Sequence, residues 1–362
     1  MPSIALVMIA RDEARCIERC LRSAAAHVDE ICVLDTGSVD DTAALARLCG
    51  ARVVPWSWCG DFAAARNAAL DQTGCDWRLI LDADEWIQGG AVSLHGYSQS
   101  SVPHIGLVRV DSLIESAQGT TQSAPSWLPR LLPRGVGYEG RVHEQPLSAL
   151  PRQRLALQVA HDGYLPAQMA LKRGRNRELL LLALRADPQD AYLQYQLGKD
   201  FEVHGDYAAA EPWYARAMSA AGPAAGWCHD LVLRRLFTLK KLAQFETAMA
   251  IAEAEMPRWG ESPDFYFTLG DLLLDWAAAQ PQHAPMLLPM IESSWLRALD
   301  IGENPALQDT VQGRGSFLAA HNLAVMFGAL GDELKARHWR EQAAWLRSQA
   351  TPACAAALPD PA

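Results

Sequence analysis

The chain has 362 residues, half of them hydrophobic, and a formal net charge of −10. That length supplies core for about two domains, and the acidic balance excludes nonspecific nucleic-acid binding and an anionic membrane as main partner. No apolar run approaches the roughly 20 residues of a membrane span, and "MPSIALVMIARDEA" has no basic leader and no signal-type cleavage region.

From residue 1 to about 85, short apolar strands alternate with helical stretches. "SIALVMI" reads as strand one, and "DEARCIERCLRSAAAH" has apolar residues at helical spacing. "EICVLD" is strand two. "DDTAALARLCG" is a helix with an aspartate cap and a glycine stop. "ARVVPW" is strand three, "DFAAARNAALDQTG" a helix, and "WRLILD" strand four. This alternation predicts an α/β domain with a mostly parallel sheet and helices on both faces. Ligands of such sheets bind beyond the carboxyl ends of the strands, so Asp35, Asp82 and Asp84 are expected on one rim. Residues 86–165 are less regular. "IGLVRVDS", "WLPRLLP" and "LALQVAH" look like strands, "HGYSQSSVP" like a loop, and "ESAQGTTQSAPS" like a long polar flap over a site.

After residue 165 the chain reads as almost all helix. Leu197-Gly198, Gly205, Tyr207, Ala210, Tyr214 and Ala217 follow tetratricopeptide spacing. The register returns at Leu236, Ala243, Phe245 and Ala248, at Leu269-Gly270, and at Leu323-Ala324, Gly331-Asp332, Ala336 and Ala343. The expected organisation is a sheet domain over 1–165, an all-α tetratricopeptide-like solenoid over 166–350, and a flexible tail over 351–362. An ordinary helical bundle is the plainer alternative. The eight cysteines are scattered without a CxxC pair, which suits inert thiols in a reducing cytoplasm.

The stretch "WRLILDADEW" runs a buried strand into Asp82, Asp84 and Glu85. A lone D-x-D is most simply a solvated turn. Placed past a strand of an α/β sheet, two such carboxylates can hold one hard cation and a diphosphate.

These motifs carry a resemblance. "MIARDEARCIERCLRS", "VDEICVLDTGSVDDTAALARLCGARV", "WSWCGDFAAARNAAL", "DWRLILDADEW", "YEGRVHEQP" and "HDGY" resemble family 2 glycosyltransferases of the GT-A fold. More narrowly, they are similar to the bacterial branch in which a short GT-A domain precedes tetratricopeptide repeats. One departure is Asp12, where the family usually has asparagine; an ionised acid cannot donate a hydrogen bond.

The resemblance implies an inverting, metal-dependent hexosyltransferase in the cytoplasm, using a nucleotide sugar of the UDP-hexose type with Mn2+ or Mg2+. It gives Asp35 the nucleotide base or ribose, and Arg11 the nucleotide end of strand one. Arg66 is expected near the nucleotide, with a salt bridge to Asp61 as the alternative. Asp82 would contact ribose or a metal-bound water, Asp84 would ligate the metal, and Glu85 would support them. His161 is preferred to His143 as the histidine ligand. Glu144 is the candidate general base, with a pair to Arg141 or Arg130 as its alternative. Arg130 and Arg141 could also meet phosphate. The acceptor is expected to be a protein, peptide or glycan held by the repeats, and a homodimer through the repeats is a further expectation. The competing function is a catalytically degenerate scaffold whose repeats bind partners.

Overall fold

A computed structural model describes residues 2–99, 102–115, 121–163, 175–222, 225–304, 307 and 310–350, without the side chains of 114, 115, 121–124 and 175. The expected tail lies outside the described residues. The chain divides into two compact units, Met1–Pro188 and Gln189–Ala362.

The first unit begins with β1 (Ile4–Ala10), α1 (Ile17–Ala24), β2 (Glu30–Asp35), α2 (Thr42–Leu48), β3 (Arg52–Pro55), α3 (Phe62–Leu70) and β4 (Trp77–Ile80). The four strands are parallel in the order β3-β2-β1-β4. Both faces are covered, which is why the central strand β1 is apolar throughout. On β1, Ile4, Leu6 and Met8 join Ile17, Cys20, Leu21 and Ala46 in one core layer. Ala5 and Val7 join Ala63, Ala65 and Ala69 in the layer opposite.

The sheet continues through β5 (Glu85–Gly89), β6 (Ile105–Glu115), β7 (Thr121–Pro133) and β10 (Arg152–His161), giving the full order β3-β2-β1-β4-β7-β6-β10-β5. The strands β8 (Gly137–Glu139) and β9 (Gln145–Leu147) form a separate hairpin. In a flat sheet β4 and β5 would stand about 19 Å apart, four strand spacings. Residues 81–84, which join them, reach at most about 17 Å when fully extended. They are in fact folded into a turn, with the Glu85 N–H donating to Asp82 O at 3.0 Å. The sheet therefore curls, and "DAD" spans its mouth.

Two loop expectations change. Leu94–Ser98 is a short helix, α4, that takes in the first four residues of the stretch expected as a loop. The expected flap is largely strand: Thr121–Ser126 pair with β6, whose partners run from Glu115 to Val110. Backbone pairing satisfies that segment without the apolar alternation by which strands are recognised. Residues 116–120 lie outside the described residues. The helix α5 (Arg175–Ala186), helical in style, falls in the first unit. Its Leu180 is fully buried, and Leu179 Cδ2 lies 3.7 Å from where a Cβ on Gly60 would sit.

The second unit is a helical region of four successive pairs. These are α6 (Ala191–Val203) with α7 (Tyr207–Ala220), α8 (Cys228–Lys241) with α9 (Phe245–Trp259), α10 (Pro263–Ala279) with α11 (Ala284–Ile301), and α12 (Phe317–Ala329) with α13 (Glu333–Ala350). The repeat glycines are packing positions. A Cβ on Gly198 would meet the Tyr214 ring at 2.6 Å, and one on Gly270 would meet Trp295 at 2.4 Å. Between helices of a pair, Gly205 and Gly331 take φ of +78°. The equivalent position in the second pair is Ala243, held at φ +55°, where a side chain is strained. Among the described residues, no helix is long and apolar enough to cross a membrane.

Candidate active site

The site is built where β4 ends. Leu79, Ile80 and Leu81 are buried, and the chain then turns through Asp82 to Glu85. Asp61 caps α3, accepting from the Ala64 N–H at 2.9 Å, and so sets the rotation of that helix. Arg66 then points to the turn. Its Nη2 donates to Asp82 Oδ1 and its Nε to Glu144 Oε1, each at 2.7 Å. The alternative partners expected from sequence are not the ones observed. Asp61 serves the cap, Glu144 pairs with Arg66, and Arg141 donates to Gly60 O at 3.0 Å.

Arg130, from β7, closes the other side. Its Nη2 donates to Asp82 Oδ2 at 2.9 Å and also pairs with Glu85. Glu85 in turn accepts from the Asp82 N–H at 2.9 Å. Both guanidiniums are buried, so these are charge-assisted bonds in a poorly screened setting. Burial pushes the Asp82 carboxyl up, but Arg66 and Arg130 outweigh it and hold it far below the carboxylate range. Burial leaves Glu85 raised, with Arg130 opposing and Asp82 adding to the shift. Burial also pushes the nearby Tyr138 hydroxyl up to about 12. Asn67 ties that strand to α3, donating to Tyr138 O at 2.9 Å and accepting from its N–H at 2.8 Å.

Asp84 and His161 meet beside this network. His161 is the last residue of β10, and the register places it opposite Glu85 and Ser112. Its Nε2 lies 3.6 Å from Asp84 Oδ2, and its Nδ1 is 3.1 Å from Ser112 Oγ. Burial lowers the His161 pKa, but the hydrogen bond and charge of Asp84 outweigh it and the net direction is up. The next residue, Asp162, accepts from Arg15 at 2.9 and 3.0 Å and from Arg19 at 2.7 Å. No role was expected for Asp162, Arg15 or Arg19. Their signal was that Asp162 stands in "HDGY" and Arg15 and Arg19 in "MIARDEARCIERCLRS", two of the stretches that carry the resemblance.

The other expected residues lie on the same carboxyl-end rim or at its edge. Asp35 ends β2 and accepts from the Ser38 N–H at 3.0 Å. Arg11 is half-exposed, with Nε 3.7 Å from Asp12 Oδ2. Asp12 stands at φ +56°, a conformation that Asp and Asn tolerate best. There it accepts from the Val39 N–H at 2.8 Å, so an acceptor serves at this position. His143 also has positive φ, at +53°, just before Glu144.

Among the described residues, no group of three or more His, Cys, Asp or Glu is arranged to hold a metal. Asp84 and His161 nevertheless form a pair of suitable ligand types, with the second histidine nitrogen held by Ser112. The two guanidiniums bond to three carboxylates, Asp82, Glu85 and Glu144, which leaves Asp84 to face His161. The pair fits a cation whose remaining ligands come from phosphate oxygens and water.

Residues 5–94 match the family model described as glycosyl transferase family 2. A TPR repeat-containing protein of Synechococcus elongatus is 31% identical over 267 residues, covering 69% of this chain and 64% of that protein. The SPbeta prophage-derived glycosyltransferase SunS of Bacillus subtilis is 27% identical over 221 residues, covering 56% of this chain and 50% of SunS. Among solved structures, a MamA double mutant matches at 20% identity and a TM-score of 0.38, over 51% of this chain and 92% of MamA. The chain thus spans between half and two thirds of the length of these two curated relatives. Over residues 5–94 the chain is thus similar to family 2 glycosyltransferases, and a region of paired helices follows from Ala191.

Proposed function

We propose that this chain is an inverting glycosyltransferase that moves a hexose from a nucleotide sugar, of the UDP type, to a peptide, protein or glycan acceptor. The observation that carries this is the pairing of Asp84 with His161 at 3.6 Å, beside the arginine-held Asp82 on the rim beyond β4. Asp84 and His161 are the residues that would hold Mn2+ or Mg2+. When bound, the cation would neutralise charge on the departing diphosphate.

The chain's own residues supply the rest. Asp35 accepts from the base or ribose, with Arg11 beside it at the end of β1. Asp82 keeps 36% of its side chain exposed although two arginines grip it, so it can meet the ribose while its ionised form is secured. Glu144 Oε1 is occupied by Arg66, and the other oxygen takes the proton of the attacking acceptor group. Arg66 thereby aligns the base with the acid turn. The repeat region selects the acceptor.

Calorimetry of UDP with and without manganese tests the proposal. Wild type should bind UDP more tightly with the metal, and Asp84→Asn should lose that gain while keeping its melting temperature. Unchanged metal-dependent affinity in Asp84→Asn would sink the assignment. A pure scaffold would show no manganese-dependent nucleotide binding in either form.

A further inference from the structure

We propose that Asp162 is a positioning residue: gripped by Arg15 and Arg19, it fixes His161 against Asp84 and so sets the site's affinity for a divalent cation. This rests on the functional proposal above and assigns a task to residues that it leaves unused.

The argument starts from how β10 ends. Its last ladder pairs are His161 with Glu85 and His161 with Ser112. Beyond them the strand has no further register to hold it. Among the described residues, Asp162 secures the chain there through both its backbone and its side chain. Its backbone N–H donates to Asp84 O at 3.3 Å. Its carboxylate takes a two-point contact from Arg15, at 2.9 and 3.0 Å, and a third bond from Arg19 at 2.7 Å. One residue thus ties the backbone of one candidate ligand to the residue following the other.

The far end of the clamp is rigid. Arg19 lies on α1, whose Ile17, Cys20 and Leu21 are buried in the core. Its guanidinium stacks 3.6 Å above the Trp86 ring, and Trp86 follows Glu85 on β5. The Asp162 side chain is only 8% exposed, whereas Arg15 and Arg19 are 42% and 43% exposed. A buried acid held by three charge-assisted bonds has a defined orientation. The residues that orient metal ligands typically change metal affinity by about 10- to 100-fold when removed.

The test uses the full chain and three variants, Asp162→Asn, Arg15→Ala and Arg19→Ala. Manganese affinity is measured by calorimetry in the presence of UDP, and UDP affinity separately in a chelator. The variants should bind manganese about tenfold more weakly, with metal-free UDP affinity unchanged. Turnover should recover at saturating manganese, so the defect appears in the metal requirement and not in kcat. The arginine variants alter half-exposed side chains, so they keep the test decisive if Asp162→Asn fails to fold. Folded variants with wild-type manganese affinity would overturn the clamp. Loss of metal-free UDP affinity in the arginine variants would also overturn it, making them nucleotide contacts instead. Wild type that ignores manganese removes the functional proposal and the clamp together, an outcome distinct from either.

Discussion

Asp82 in the sheet unit and Asp230 in the helical unit are both carboxylates hemmed in by arginine, yet their surroundings differ in kind. Asp230, on α8, accepts from Arg234 Nε at 2.6 Å on its own helix and from the Tyr195 hydroxyl on α6. Arg234 also donates to Glu202 at 2.9 Å, and Glu202 accepts from Tyr214 of α7. All partners come from three consecutive helices, and the Asp230 side chain is 11% exposed. Asp82 draws its partners from α3 and β7, far apart in sequence, and stays 36% exposed. The helical network is closed by hydroxyl donors and braces a repeat. The sheet network is also charged but opens at the rim, where a ligand can reach it. Burial of charge alone does not mark a functional site; an opening beside it does.

Glu144→Gln should break the comparison most sharply. Acceptor transfer should fall by about 10²- to 10⁴-fold, the contribution of a positioned acid or base, while UDP–manganese affinity is kept. Near wild-type turnover in a product assay would make Glu144 structural, like Glu202.

Asp230→Ala should act on stability instead. Removing one partner of a buried ion pair costs about 3 kcal/mol, read by urea unfolding of the full chain, with metal-dependent UDP affinity unchanged per folded molecule. Burial raises the Asp230 carboxyl, but Arg234 and Lys199 outweigh it and the net shift is down. Its stabilisation is therefore present above the ordinary carboxylate pKa of about 3.9 and lost as pH falls through the lower folded value. The gap between wild type and the variant should be full near neutrality and close in acid. A gap that instead widens toward low pH would refute this role.

The smallest effect should be at Ala243. Glycine at this left-handed position matches Gly205 and Gly331, and Ala243→Gly should stabilise the helical unit by about 1 kcal/mol. A lower melting temperature in that variant would show that the strain is not relieved.

The parallel strands, the rim acids and the repeat glycines were legible because each has a local signature: apolar runs, an acid at a strand end, a glycine at fixed spacing. The arginine partners were not. Arg66 reaches Asp82 and Glu144 across 16 and 78 residues, and nothing near Arg66 distinguishes these acids from Asp61. The strand at Thr121–Ser126 was missed for the opposite reason. Its residues are polar, and only its neighbour β6 makes it a strand. Asp162 needed both the register of β10 and the placement of α1, neither of which is written in a short motif.

The position of β10 also orders the birth of the protein. It inserts between β6 and β5, both of which precede it in the chain. A ribosome delivers Asp35, Arg66 and Asp82 well before His161, so the rest of the carboxyl-end rim can be made before its histidine arrives. Until residues 152–161 are supplied, β5 and β6 each carry an unpaired edge, a template for association with other chains. Chains halted near residue 150 should therefore self-associate, whereas those extended past Asp162 should have the β6 edge and the facing edge of β5 paired by the strand that ends in His161.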